Sequence, residues 1–516
     1  MKNALLVLLL FAIPSQAEEG ACTVPKDPSV PFVPIRPCDL PPPQYLEGWK
    51  NSTIAVPTGQ MLSLSQVQVQ QTTHARVVPV RVSVLNQLIP LERVAQIRQL
   101  LQDVKLDRDP DTVDALPTYE LFLFSPSLGH VPAKHDNDPA RQQLRNDILA
   151  LVQPLIQERL TPFVNQQFCQ PQQKECFPCY SLIRRYQEVD RLSHAVHHDG
   201  HACVTAVVSL SDYDAEYQGG LYVSGEPDKR FLRLNQGDAV LHQFQLRHGV
   251  NVLSGTRYSL IVWYLDSDSC TPNPYDWFQE CDDNPVCWHL QSTVDDPALS
   301  TTPEQQIQRQ TRLLQKAAHA GVGTAAMKLG RAYAQWIPSP HAKNLTQARQ
   351  YFEMAAETAN DPEGYYGLAH LELLQLRDNN NHNHKASLSQ VVEYLQAGAM
   401  RGHAFSMFNL GIAHLFGYGL DANPALAAEW FEQSGLPEGL AMASSHAESM
   451  GEASRSEALW TKALSLGYHQ KWRKTVREQV GSGGTNGVDL NLPWPVLQGQ
   501  RPPQFLSLIH ISEPTR

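Results

Sequence analysis

Apolar positions are spaced two apart in one half of the chain and three to four apart in the other. Between residues 78 and 267 they fall in short β-branched runs. ACVTAVVSLS (202–211) is continuous enough for a buried strand. Gly219 and Gly220 precede LYVSG, and RFLRLNQGDAVLHQF (230–244) divides into two short strands around an Asn-Gln-Gly-Asp turn. Alternation in TRYSLIVWYL (256–265) puts Arg257, Ser259, Ile261 and Trp263 on one face, predicted to line the inside of a barrel. Ahead of these strands, VLNQLIPLERVAQIRQLLQ (84–102) reads as a strand leading into a helix, and DPARQQLRNDILALVQPLIQERL (138–160) as a second helix.

From residue 303 the period lengthens and small residues take helical spacing. AAMKLGRAYAQW (325–336), YYGLAHLELLQ (365–375) and SMFNLGIAHLFGYG (406–419) recur at intervals of about 40 residues. Each is followed by a second helix: LTQARQYFEMAAE (345–357), LSQVVEYLQAGAMRGH (388–403) and PALAAEWFEQSG (424–435). Such pairs stack into a solenoid, Ala and Gly allowing close approach and aromatics filling the gaps between repeats. The middle pair departs from the pattern through RDNNNHNHKAS (377–387), a solvated loop whose His382 and His384 are weak metal candidates, and a fourth unit near 440–466 is degenerate.

Composition narrows the class without naming a chemistry. The 516 residues, 42% hydrophobic and 18% charged, allow two or three globular domains. A net charge of -11 with no basic patch argues against nucleic acid as partner. Residues 1–17 pair Lys2 with an apolar run from Ala4 to Ile13, a Pro14 break and a small-residue end at Ala17, which predicts a signal peptide. No later segment approaches the roughly 20 apolar residues of a membrane span. The chain is therefore expected in the secretory pathway, either in the endoplasmic reticulum lumen or secreted, with sequons at Asn51 and Asn344. Nine cysteines precede residue 288: Cys203, inside the buried run, reads as a free thiol, which leaves eight for disulfides. The C-x-x-C of Cys176 and Cys179 reads as a loop pinned by structural bridges rather than a redox or zinc motif.

Two fragments hold the candidate chemistry, HAVHHDGH (194–201) and LRHGVNVLSGTRYSLIVWYL (246–265). His197 and Asp199 offer two ligands from neighbouring positions, and His248 brings a third from a distant strand. Two imidazoles and a carboxylate on one side of a metal leave open positions on the other, as non-haem Fe(II) requires. Arg257, nine residues after His248, can grip a carboxylate at the far end of a chelating cosubstrate. His242 is a rival for the distal ligand, but no basic residue stands nine or ten places after it; His194 has Val196 where a carboxylate is needed. His198 and His201 lack further placed ligands.

In these residues the chain resembles the 2-oxoglutarate/Fe(II)-dependent dioxygenases, in their prolyl 4-hydroxylase-like branch, over about residues 78–267. The repeats resemble the Sel-one-like class of tetratricopeptide-related repeats, above all in NLGIAHLFGYGLDANPALAAEWFEQSG (409–435). The resemblance implies a multidomain chain, a double-stranded β-helix (jelly-roll) oxygenase domain followed by an all-α helical-repeat solenoid. It implies iron on His197, Asp199 and His248, the distal carboxylate of 2-oxoglutarate on Arg257, and Tyr186, eleven places before His197, assisting Arg257. Activity is expected to be hydroxylation of a peptidyl side chain, prolyl first and lysyl second, with O2 as co-reactant and ascorbate as reductant. A client protein on the repeats is a further expected partner. The rival reading is a lumenal adaptor whose repeats bind a client and whose oxygenase fold is a scaffold.

The expected organisation is a signal peptide (1–17), a Pro-rich segment (18–77), the dioxygenase domain (78–270), a Cys-containing linker (271–302), helical repeats (303–480) and a Gly/Pro-rich tail (481–505). Residues 506–516, LSLIHISEPTR preceded by Phe505, resemble an in-frame sequencing adapter and are set apart from the fold. With every ligand before residue 303, a chain ending near Ser300 is expected to fold alone.

Overall fold

The computed structural model describes residues 37–69, 79–102, 104–111, 113, 116–124, 138–172, 174–224, 229–271, 274–279, 283–295, 302–337, 339–378, 384–466 and 468. The expected signal peptide, the Gly/Pro-rich tail, the adapter-like end, Cys22, Cys281 and His382 lie outside the described residues.

Fourteen strands among the described residues form two sheets. In chain order they are β1 (Gln44–Tyr45), β2 (Lys50–Ala55), β3 (Met61–Val69), β4 (Val80–Leu85), β5 (Asp107–Pro110), β6 (Pro117–Phe124), β7 (Phe177–Tyr186) and β8 (Ser193–His197). There follow β9 (Val204–Ser209), β10 (Tyr217–Ser224), β11 (Lys229–Phe231), β12 (Ala239–Gln243), β13 (His248–Gly255) and β14 (Arg257–Leu265). The smaller sheet runs β1-β11-β10-β13-β8, and the larger runs β2-β3-β4-β12-β9-β14-β7-β6-β5. This is a double-stranded β-helix: chain segments alternate between two facing sheets, and their inner side chains share one core. Val82, Leu182, Val207, Val240 and Ile261 from the large sheet meet Leu221, Val223, Val250 and Val252 from the small one.

The strand alternation explains which faces are which. In β14, Ile261 and Trp263 join the interior cluster, while Leu260, Val262 and Tyr264 join a second cluster on the outer face. That outer face is covered by α1 (Leu91–Leu100), α2 (Pro139–Leu155) and α3 (Thr161–Val164), through Val94, Ile97, Ile148, Val152 and Phe163. Strand pairing also reaches back into the segment read as a Pro-rich lead-in, where β3 pairs with β4.

Two disulfides hold the base of the large sheet, Cys169–Cys176 and Cys179–Cys270, and Cys38 and Cys287 are disulfide-bonded as well. The two cysteines of the C-x-x-C thus bond to different partners, which makes them structural. Cys203 is free and buried, with its Sγ 3.5 Å from that of Cys176 and donating to the Tyr264 carbonyl at 2.9 Å. Burial pushes its thiol up to about 12, so the thiolate needed for exchange with the neighbouring disulfide is scarce near neutral pH. Alkylation of Cys203 at pH 8 is expected to be slower by orders of magnitude in the folded chain than in denaturant; equal rates would mean that the thiol is accessible and activated.

The stretch read as a linker holds two helices, α4 (Pro274–Gln279) and α5 (Pro285–Gln291). The solenoid follows as α6 (Pro303–His319), α7 (Gly323–Ala334), α8 (Leu345–Glu353), α9 (Pro362–Asp378), α10 (His384–Met400), α11 (Ala404–Phe416), α12 (Pro424–Ser434), α13 (Pro437–Ser449) and α14 (Ala453–Ser465). Asn344 and Asn423 cap α8 and α12, their side chains accepting from Gln347 and Leu426 N–H. Gly330 and Gly367 lie against the Phe352 ring, where an added Cβ would sit 2.5 to 2.6 Å from ring carbons. Those glycines set the close helix spacing.

No boundary in the core separates the β-helix from the first repeats. One apolar cluster runs from Leu241 and Phe244 through Trp277, Phe278, Val286 and Trp288 to Leu314, Met327 and Phe352. Lys316 Nζ stands 3.6 Å above the Trp288 ring, and Arg309 donates to the carbonyls of Gln291 and Val294. At the far end Arg108 and Tyr119 donate to the Ser465 carbonyl at 2.7 and 3.1 Å, closing the last helix onto the β-helix. Exposing several large apolar side chains at roughly 1.5–3 kcal/mol each approaches the whole stability of a domain. A chain ending near Ser300 is therefore expected to aggregate or melt far below the full chain, contrary to the expectation from ligand placement alone. A cooperative melt of that fragment near the full-length transition would show that the shared core contributes little.

Candidate metal centre

The site is built where β8 and β13 pair. His197 and His248 are directly opposite in this antiparallel register, and an irregularity follows between His248 and Val250. The ring centroids of these two residues are 4.5 Å apart. His197 Nδ1 lies 2.8 Å from the Ala195 carbonyl and His248 Nδ1 lies 3.1 Å from that of Leu246. With each Nδ1 committed to its own backbone, each Nε2 faces the carboxylate of Asp199, at 3.3 Å from Oδ1 and 3.7 Å from Oδ2. One ligand atom from each of the three residues lies within 4.8 Å of the others, and this is the metal-competent cluster found among the described residues.

Asp199 is itself held. Thr205 Oγ1 donates to its Oδ2 at 2.6 Å and Trp263 Nε1 at 3.4 Å. Burial works against its charge, but His248 and His197 hold the carboxyl well below the usual carboxylate range. Burial keeps the His248 imidazole well below its usual value, against the pull of Asp199. For His197 burial also opposes the proton, and the contacts with Asp199 outweigh it and lift the ring above its usual value. An anionic carboxylate between two imidazoles is a donor set suited to a divalent cation.

The two residues expected to grip the cosubstrate meet on the other sheet. Arg257 and Tyr186 are directly opposite in the β14/β7 register. Arg257 is 1% exposed, its guanidinium 5.9 Å from the ring centres of both Tyr186 and Tyr217. Nη1 reaches Ser259 Oγ at 3.4 Å, while Nε and Nη2 are buried without a hydrogen-bond partner. Gly220, at φ +90°, passes close by; a Cβ there would lie 3.2 Å from Arg257 Cδ and closer to Tyr217. A buried guanidinium with two unmet donors and, among the described residues, no carboxylate paired with it is the fit expected for an acidic ligand.

The remaining histidines fall outside the cluster. His242 packs tilted against His248, with centroids 4.3 Å apart, and burial lowers its ring below the usual value. His194 pairs with Asp111 at 2.9 Å. His201 packs edge-on to Trp263, and His198 lies toward His289 of α5. Thr205 and Trp263 were not assigned from sequence, although Trp263 was placed on the Arg257 face. The signal was their position on inward faces of the two strands nearest Asp199.

Residues 323–358 and 404–435 match the Sel1 repeat family. The chain carries Sel1 repeats. These are the α7/α8 and α11/α12 pairs, and the unmatched pair between them is the one with the Asn/His insertion. No curated protein matches the chain significantly. Among solved structures, a Sel1 repeat protein from Oxalobacter formigenes is similar at 20% identity, covering 40% of this chain and 78% of its own, with TM-score 0.29. A 2OG-Fe(II) oxygenase family oxidoreductase from Burkholderia pseudomallei is similar at 17% identity, covering 36% and 86%, with TM-score 0.28. A viral collagen prolyl hydroxylase from Paramecium Bursaria Chlorella virus-1, in its 2OG complex, is similar at 12% identity, covering 36% and 94%, with TM-score 0.24. The Sel1 pairs begin only after the strands end, so β-helix and Sel1 solenoid are consecutive in the chain.

Proposed function

We propose that the chain is a 2-oxoglutarate- and Fe(II)-dependent dioxygenase that hydroxylates a peptidyl side chain, prolyl in the first place and lysyl in the second. The observation that carries this reading is Arg257: a buried guanidinium with unmet donors, inside the same β-helix as a His/Asp/His cluster. His197, Asp199 and His248 would hold Fe(II), and Arg257 with Tyr186 would hold the distal carboxylate of 2-oxoglutarate. When bound, the metal supplies oxidation of an unactivated C–H bond by O2, coupled to conversion of 2-oxoglutarate to succinate and CO2, with ascorbate as reductant for turnovers that miss the substrate. The protein's part is positioning. Thr205 and Trp263 fix the Asp199 carboxylate, the backbone carbonyls of Ala195 and Leu246 orient the imidazoles, and Leu182, Val207 and Ile261 line an apolar interior that limits water.

Disulfides among the described residues support a place in the secretory pathway, in the endoplasmic reticulum lumen or outside the cell; no described helix is long and apolar enough to cross a membrane. Sel1 repeats support a role in contacting a protein substrate or client. Succinate production by purified protein over a panel of Pro-rich and Lys-containing peptides tests the reading. Stimulation by one class names the side chain. Failure to bind 2-oxoglutarate, with client binding retained, would leave the lumenal adaptor.

A further inference from the structure

His197 and His248 turn toward Asp199, and their neighbours in the chain turn the opposite way, as alternation along an extended backbone requires. His198 lies toward His289 of α5, with ring centroids 6.3 Å apart. Arg247 reaches Asp361, just before α9 in the solenoid, with Nη1 3.2 Å from Oδ2. The approach to His248 makes two more contacts of this kind. The Phe244 ring packs on Phe278 of α4 at 5.3 Å, and Gln245 Nε2 lies 3.9 Å from Cys287 Sγ of α5. Helices outside the β-helix therefore back both segments that carry the histidine ligands.

Asp361 is built as a rigid acceptor. It is 2% exposed, its N–H donates to the Ala355 carbonyl at 2.9 Å, and its Oδ1 accepts from Glu363 N–H at 3.0 Å in the first turn of α9. Gly323, the first residue of α7, lies against it: an added Cβ there would be 2.9 Å from both Cβ and Oδ2 of Asp361. With one oxygen committed to α9 and the residue packed against α7, the other oxygen is fixed where it meets Arg247. The two side chains are 1% and 17% exposed, so the pair is shielded from water and costly to break by removing one partner.

His248 has little ladder of its own to hold it. It is the first residue of β13, and the pairing with β8 becomes irregular directly after it, between His248 and Val250. Before it the chain turns, closed by Leu246 N–H donating to the Gln243 carbonyl at 3.0 Å. The His248 ring is aimed by the Leu246 carbonyl, which meets its Nδ1 at 3.1 Å. That carbonyl belongs to the planar peptide joining Leu246 to Arg247. Pinning the Arg247 side chain fixes this plane, and with it the direction of His248 Nε2.

We propose that Asp361, from the solenoid, is a positioning residue for the metal centre: through Arg247 it fixes the peptide that aims His248. The solenoid is then part of the framework of the metal site, and metal binding and solenoid docking strengthen each other reciprocally. This role rests on His197, Asp199 and His248 being the Fe(II) ligands.

Anaerobic calorimetry with Fe(II) on the full chain, paired with thermal melts, tests it. Asp361→Asn keeps the Oδ1 cap and removes the charge, and is expected to weaken Fe(II) binding about tenfold, the lower end of the range for groups that support metal ligands. Succinate binding without metal should be unchanged, because Arg257 stands on the other sheet. Arg349→Gln, which breaks the Arg349–Glu372 pair inside the repeats, is the control: it should lower the Tm and leave Fe(II) affinity alone. The double variant Arg247→Met/Asp361→Asn leaves no unpaired charge buried, so it should regain Tm over Asp361→Asn without regaining Fe(II) affinity. Recovery of both in the double variant, parental Fe(II) affinity in Asp361→Asn, or an equal loss in Arg349→Gln would each overturn the proposal and leave the hydroxylase reading intact. A parent chain that binds no Fe(II) would overturn the metal assignment and the role of Asp361 together.

Discussion

His248→Ala is expected to abolish Fe(II) binding and 2-oxoglutarate turnover, while His242→Ala keeps metal binding and most activity. The two rings pack 4.3 Å apart at a tilt and both are buried, so burial alone does not separate them. Register does: His248 is directly opposite His197 on the small sheet, whereas His242 lies on β12, opposite Thr205 of β9 in the large sheet. Only His248 turns its Nε2 toward Asp199, at 3.7 Å, with Nδ1 held by its own backbone. Removing groups that support metal ligands costs roughly 10–100-fold, so loss of a ligand should exceed that range, whereas His242, whose Nδ1 contacts the Gln243 carbonyl rather than a ligand, should cost less than about tenfold. Calorimetric titration with Fe(II) under anaerobic conditions, paired with succinate production and circular dichroism, distinguishes the two variants. Should His242→Ala lose the metal and His248→Ala keep it, the triad is misassigned.

Much of this site was legible in sequence because its spacing is local. His197 and Asp199 are two residues apart, Arg257 follows His248 by nine, and alternation along β14 placed Arg257 and Trp263 on the interior face. What spacing could not supply was register between distant strands. The pairs His197/His248 and Arg257/Tyr186 are cross-strand neighbours only because β8 meets β13 and β7 meets β14, and each pairing is decided by the whole sheet. Edge strands were also hidden. KNSTIA in β2 is almost wholly exposed and DRDP in β5 is mostly charged, so neither shows the alternation of a half-buried strand. The repeats were readable from their period and small residues. Their fusion to the β-helix core was not, because Trp277, Phe278 and Trp288 carry no mark in sequence of which surface they will cover.

Replacing Arg257 by Ala should raise the Kd and apparent KM for 2-oxoglutarate by about 100-fold or more, while Fe(II) binding changes little. Breaking a buried charge pair by removing one partner costs roughly 3–5 kcal/mol, and each 1.4 kcal/mol is about tenfold in affinity. That full range applies here because Arg257 is 1% exposed and no carboxylate among the described residues shares its guanidinium, so a bound ligand would take the whole interaction. Arg257→Lys retains charge but loses the planar fork, and is expected to recover only part of the affinity. Tyr186→Phe removes one hydroxyl from the opposite strand position and should cost about 0.5–1.5 kcal/mol, roughly two- to tenfold. Calorimetry with 2-oxoglutarate and, separately, with succinate measures the term directly, since the proposed clamp would hold the distal carboxylate that both share. If Arg257→Ala binds 2-oxoglutarate as the parent chain does, the guanidinium is not the clamp, and its unmet donors inside the β-helix would need a different ligand.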